Sequence, residues 1–138
     1  CYAGCARGLK AVAAIPRQKW SNEMEDFVRR GTDFFLLHRV YKSSHNPSQL
    51  VHRDVTNLRF PIFVFSNFLD ILDILLELGN KDRRMQEAVD LLKSKRQPNG
   101  RWILEKAVSN MHTKIETQGK DSKWITYKAL SALKRWET

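Results

Sequence analysis

The chain has 138 residues, 42% of them hydrophobic, with seven Phe and four Trp. That is enough for one domain with a packed core and excludes a disordered segment. The 24 Lys and Arg against 15 Asp and Glu give a net charge of +9, which points either to a solvated basic surface or to one that attracts nucleic acid, anionic lipid or an acidic protein. No apolar run is long enough to cross a membrane.

The chain opens with CYAGCARG, already inside an amphipathic pattern, without a starting Met or a signal peptide. It reads as a piece of a longer protein. Residues 2–15 form a first helix of small residues, with Cys5, Leu9, Val12 and Ala13 at helical spacing, stopped by Pro16. Cys1 and Cys5 lie four apart on that helix, where the side-chain directions disfavour a disulfide. Free thiols and a cytoplasmic protein are expected. Asn22 and Glu25 have capping-box spacing and open a second helix over 22–38, expected to bury Met24, Phe27, Phe34 and Leu37. Gly31 inside it costs about 1 kcal/mol against Ala and so marks close packing on another backbone. Residues 39–59 have no sustained period and contain the Asn46-Pro47 turn signal. So long a connection is expected to be functional or folded over the surface.

Phe60–Gly79 is the most apolar run and holds no Lys, Arg or His. From Phe68 to Leu78 it is apolar almost all round a helix, except for a stripe of Asp70, Asp73 and Glu77. Ser66 or Asn67 caps its start and Gly79 or Asn80 ends it. This is the expected central inner helix. A fourth helix, Lys81–Arg96, buries Met85, Ala88, Val89 and Leu92. Gln97–Trp102 is a tight turn. Residues 105–121 are polar and irregular, extended around Val108–Ile115. Ser122 caps a last helix over 123–136, with Ile125, Ala129, Leu130, Leu133 and Trp136 on its apolar face.

The pattern repeats. Gly31–Arg39 aligns with Ala88–Arg96 at an offset of 57, and Gly8–Val12 aligns with Ile71–Leu75 and again with Ala129–Leu133. The fold class is therefore all-α: two helical hairpins and the first helix of a third.

The turn Gln97-Pro-Asn-Gly100-Arg-Trp102, the repeats and the closing SKWITYKALSALKRW together resemble the α/α-toroid of terpenoid cyclases and protein prenyltransferases, whose QW motif has one more residue between Gln and Gly. The resemblance is closest to prenyltransferase-like or squalene-cyclase-like proteins of unassigned activity. It implies a partial toroid, a ring of inner and outer helices around a cavity lined by aromatic and acidic residues. A full ring takes more helices than the five read here, so residues 1–138 would be one domain cut from a larger ring. The catalytic motifs of the superfamily are absent. Asp70-Ile-Leu-Asp73 lacks the cyclase acid spacing, there is no Asp-Asp-x-x-Asp magnesium motif, no Asp-x-Cys zinc pair occurs, and Cys5 sits in Gly-Cys-Ala-Arg-Gly rather than a thioester sequence.

Asp70 and Asp73 are the catalytic candidates, as a general acid or as magnesium ligands; the alternative is a solvated stripe or pairing with Lys and Arg of the adjoining hairpin. Arg59 and Phe60 with Lys123 and Trp124 are candidates for a cation-and-aromatic pocket that takes a diphosphate or lipid head group. The alternative places Trp124 in the core. Trp102 and Gly100 are structural. His38, His45 and His52, seven apart, lack zinc spacing. They read as surface or capping groups, with His45 on the long connection kept as a binding candidate. No metal or other cofactor is expected.

These observations favour a module that binds a hydrophobic or isoprenoid-like molecule without complete catalytic machinery. The alternatives are an interaction domain that meets an acidic partner or nucleic acid through its basic face, and an isoprenoid-processing enzyme completed by another chain. Apolar faces left open at both ends, with Cys5, Leu9 and Val12 at one and Ile125, Leu130, Leu133 and Trp136 at the other, would make a homodimer.

Overall fold

The computed structural model describes all 138 residues and is helical, without strands. Its helices are α1 (Tyr2–Ala13), α2 (Asn22–Leu37), α3 (Phe68–Glu77), α4 (Gln86–Ser94) and α5 (Lys123–Glu137). Short 3-10 turns at Arg17–Lys19 and Arg83–Met85 precede α2 and α4.

Helix α3 is the centre. Eight of its ten residues are buried, and α1, α4 and α5 all pack on it. The side chain of Asn67 caps it, accepting from the Asp70 amide at 2.9 Å. The chain leaves α3 through Gly79 at φ +85°, and the Asn80 amide reaches back to the Leu75 carbonyl at 2.9 Å. The left-handed residue satisfies carbonyls that the helix end would leave unpaired.

Helices α1, α3 and α5 run in the same direction. Arg7 of α1 meets Ser66 and Asp70 at the start of α3, while Lys128 and then Arg135 of α5 meet Asp70 and then Asp73. Helix α2 runs back along α1, with Phe35 against Tyr2 and Phe27 against Gly8. Gly31 allows the closest approach: a Cβ there would sit 2.9 Å from Leu9 Cδ2.

Several expected details shift. Helix α2 is capped by Ser21, which accepts from the Met24 amide at 3.2 Å, and not by an Asn22–Glu25 box. It buries Gly31, Thr32, Phe35 and Leu36, leaving Leu37 exposed. The buried stripe is set by the glycine, which points inward and fixes the phase of the run Phe34–Leu37. On α5, Ala132 takes the core position expected for Leu130, which is exposed. Leu9, Ile125 and Leu133 are buried, so the apolar ends of the domain are smaller than the sequence implies. The 105–121 segment carries isolated bridges at most.

The Gln97–Trp102 turn anchors α4 to α5. Gly100 sits at φ +83°, and the Gly100 amide donates to the Gln97 carbonyl at 2.8 Å. Trp102 is fully buried, and its ring N–H donates to the Leu92 carbonyl at 2.8 Å.

Candidate functional site

Two arrangements concentrate chemistry, one between α1, α3 and α5 and one at the start of α1. The first is an ion cluster around Asp70, whose side chain is 2% exposed. Arg7 hydrogen-bonds it and also donates to Ser66 Oγ at 2.8 Å. Lys10 and Lys128 approach to 3.7 and 3.9 Å. One turn on, Asp73 accepts from Arg135 at 3.0 Å. Four cations thus surround two carboxylates. Burial pushes the Asp73 carboxyl up, against the pull of Lys128 and Arg135. Burial likewise pushes the Lys128 ammonium down, against the attraction of Asp70. Asp70 ties α3 to both α1 and α5, and Asp73 ties α3 to α5, the pairing with adjoining hairpins that the sequence allows as the alternative to catalysis.

The second arrangement is a cavity of about 430 Å³ between the start of α1, the 51–54 turn, Arg59 and the loop before α3. Tyr2, Ala3, Val51 and Phe65 give it apolar walls, and His52, Arg53, Arg59 and Ser66 give it polar ones. Helix α1 presents Tyr2 because its hydroxyl is fixed to the Val40 carbonyl, and burial raises that phenol strongly. The His52 ring stands edge-on to it, with centroids 5.7 Å apart. Asp54, also at the rim, is already bonded to Lys106 at 3.1 Å, and that hydrogen bond holds its carboxyl below the usual range. Arg53 touches Asp54 only at 3.9 Å. The cavity therefore carries net positive charge over an apolar floor.

Of the sequence candidates, Phe60 and Trp124 come together. Their rings stack at 5.3 Å with planes 13° apart, and Lys123 Nζ lies 5.5 Å from the Trp124 ring. Trp124 is half exposed, not core. Arg59 is on the other side, in the cavity just described, while Phe60 lines a groove against residues 107–118. The four do not form one pocket. His45 is exposed in the turn that Asn46 closes by accepting from Ser48, and it lines neither space. His38 bonds the Lys42 carbonyl through Nδ1 at 2.8 Å. Cys1 and Cys5 are free thiols. No group of three or more His, Cys, Asp or Glu side chains is placed to hold a metal ion.

Sequence reasoning missed Tyr2, His52, Arg53 and Phe65 as cavity residues. One signal was present: between Asp54 and Asp70 the chain has no carboxylate while it carries Arg59 and the apolar run Pro61–Phe65. Comparison with protein-family models, with curated proteins and with solved structures finds no match for this chain.

Proposed function

We propose that the chain is a toroid-type binding module, related in build to terpenoid-processing proteins, that holds an amphiphilic anion: a hydrophobic or isoprenoid-like tail joined to an anionic head. The observation that carries this reading is the cavity beside α1. Its apolar walls suit a tail, and Arg59 and Arg53 at its rim suit a phosphate or carboxylate. Its volume falls within the range of small-molecule sites. The side-by-side, same-direction run of α1, α3 and α5, with α2 returning outside α1, supports the toroid build. The absence of the superfamily's acid, magnesium and zinc motifs supports binding without turnover by this chain alone. The test is a thermal melt with added farnesyl diphosphate. Binding to the folded state raises Tm, with a stabilisation that grows as the logarithm of the free ligand concentration once it exceeds Kd, and Ala3→Trp, which fills the cavity, abolishes the rise. A melt that farnesyl diphosphate leaves unmoved argues against the reading.

A second reading is favoured by the opposite, basic surface. Arg39, Lys81, Arg83 and Arg84 line an open groove of about 800 Å³ that has no apolar side chain, with Asp82 and Gln86. An acidic partner or nucleic acid would bind there with an affinity that falls steeply as salt rises. Binding insensitive to salt excludes it.

A further inference from the structure

We propose that the loop tip Phe63-Val64-Phe65 enters the headgroup region of an anionic membrane, so that the protein sits on a lipid surface through the end where α1, α3 and α5 begin. Phe63, Val64 and Phe65 are 58, 62 and 63% exposed. Three successive large apolar side chains in water mark an interaction site rather than ordinary scatter. The base of the tip is fixed. Ser66 and Asn67 are buried, the Asn67 amide group donates to the Arg59 carbonyl at 3.4 Å, and the Phe68 N–H donates to the Val55 carbonyl at 2.8 Å. The tip therefore projects without having to unfold anything.

Its neighbours suit a bilayer interface. Phe60 at the base of the loop stacks on Trp124, which brings the first turns of α5 alongside. There Trp124 is 43% and Tyr127 70% exposed. Amphipathic aromatics of this kind settle at headgroup depth. Arg53 and Arg59 supply positive charge on the cavity side of the tip, beside Phe65, and Lys123 supplies it on the side of the Phe60–Trp124 stack. Of the nearby carboxylates, Asp54 is paired with Lys106, whereas Glu116, held by the Ser122 hydroxyl and the Lys123 amide, keeps its charge, so the positive charge is concentrated on the Arg53–Arg59 side. An apolar tip beside cationic side chains complements acyl chains beneath lipid phosphates. Nucleic acid would satisfy the cations and leave the three apolar side chains in water. No helix is long and apolar enough to cross a membrane, so this contact is with the surface of a bilayer.

The inference does not rest on the cavity's ligand, because Phe63 and Val64 lie outside the cavity lining. The experiment is co-sedimentation with phosphatidylcholine vesicles, with and without phosphatidylserine, for the wild type and for Phe63→Ser/Val64→Ser. Both substitutions are at exposed positions, and far-UV circular dichroism checks that the fold is kept. The expected result is binding that requires phosphatidylserine, weakens with salt, and falls at least about tenfold in the double variant. Three results overturn the proposal: no sedimentation with phosphatidylserine vesicles, vesicle binding unchanged in the double variant, or a wild-type dimer in light scattering that the double variant dissolves while vesicles bind neither protein. The last assigns the tip to a second copy of the chain.

Discussion

Arg7 of α1 and Asp70 of α3 form an ion pair across the helix interface, and the aspartate side of that pair is almost wholly removed from water. Asp70 is one of the two carboxylates that the sequence offers either as a general acid or as a partner for cations of the adjoining hairpins, and here it is paired. The pair ties α1 to α3, and Lys128 extends the tie to α5. A buried carboxylate held this way is costly to remove because its partners stay behind as uncompensated charges.

Asp70→Ala should therefore destabilise the domain by about 3 kcal/mol, at the lower end of what breaking a buried pair costs, since Arg7 and Lys10 are part-exposed. Lys10→Ala should cost under about 1 kcal/mol, as half-exposed pairs do. Urea denaturation of the two variants measures both. Equal losses would mean that Asp70 is no hub.

Leu72→Asp or Leu75→Asp should leave the domain largely unfolded. Each removes a fully buried leucine from α3, worth about 1.5–3 kcal/mol in transfer alone, and places a charge without a partner. A thermal melt like that of the wild type would contradict the placing of α3 at the centre.

Gly31→Leu should destabilise strongly. Even a Cβ at Gly31 comes within 2.9–3.1 Å of the fully buried Leu9 side chain. The helix-propensity gain of leaving glycine, about 1 kcal/mol, is smaller than the overpacking cost of about 1–3 kcal/mol or more. Gly31→Leu with Leu9→Ala should recover much of the loss. A double-mutant cycle reads the coupling, and strict additivity would show that the two residues do not meet.

How much of this was legible in the sequence varies with how local the cause is. Helix α3 announces itself by apolar residues all round, and α4 by the stripe Ala88, Val89 and Leu92, which the structure buries, although the helix expected from Lys81 begins only at Gln86, with buried Met85 in the 3-10 turn before it. The phase of α2 was hidden because Phe34–Leu37 is apolar at four consecutive positions. Only Gly31, four residues before Phe35, distinguishes the inward face. On α5 the alanines at 129 and 132 are core positions because α3 packs closely there, which hydrophobicity alone does not reveal. The cavity was least legible. Tyr2, the 51–54 turn, Arg59 and Phe65 come from four separated stretches, and no helical or strand period brings them together.

Acid should weaken the link between the start of α4 and the end of α2. The hydrogen bond from Lys42, helped by one from Arg39, holds the Glu87 carboxyl below its ordinary value. A carboxyl lowered in the folded state contributes stability above the unfolded pKa of about 4.3 and loses it as pH falls through the lower, folded value. Tm should thus fall as pH drops below about 4, and Glu87→Gln should flatten part of that dependence while lowering Tm at neutral pH. An unchanged pH profile in Glu87→Gln would exclude this contribution.

The most direct test of the binding reading is calorimetric titration with farnesyl diphosphate, farnesol and inorganic diphosphate, for the wild type and for Arg59→Glu. Losing one charge-assisted contact costs about 1.5–3 kcal/mol, a factor of roughly ten to a hundred in Kd. Farnesyl diphosphate should bind more tightly than either of its halves, and Arg59→Glu should weaken it at least about tenfold without changing the melting behaviour of the free protein. Equal affinity for wild type and Arg59→Glu, or binding of inorganic diphosphate as tight as that of farnesyl diphosphate, would contradict the binding reading.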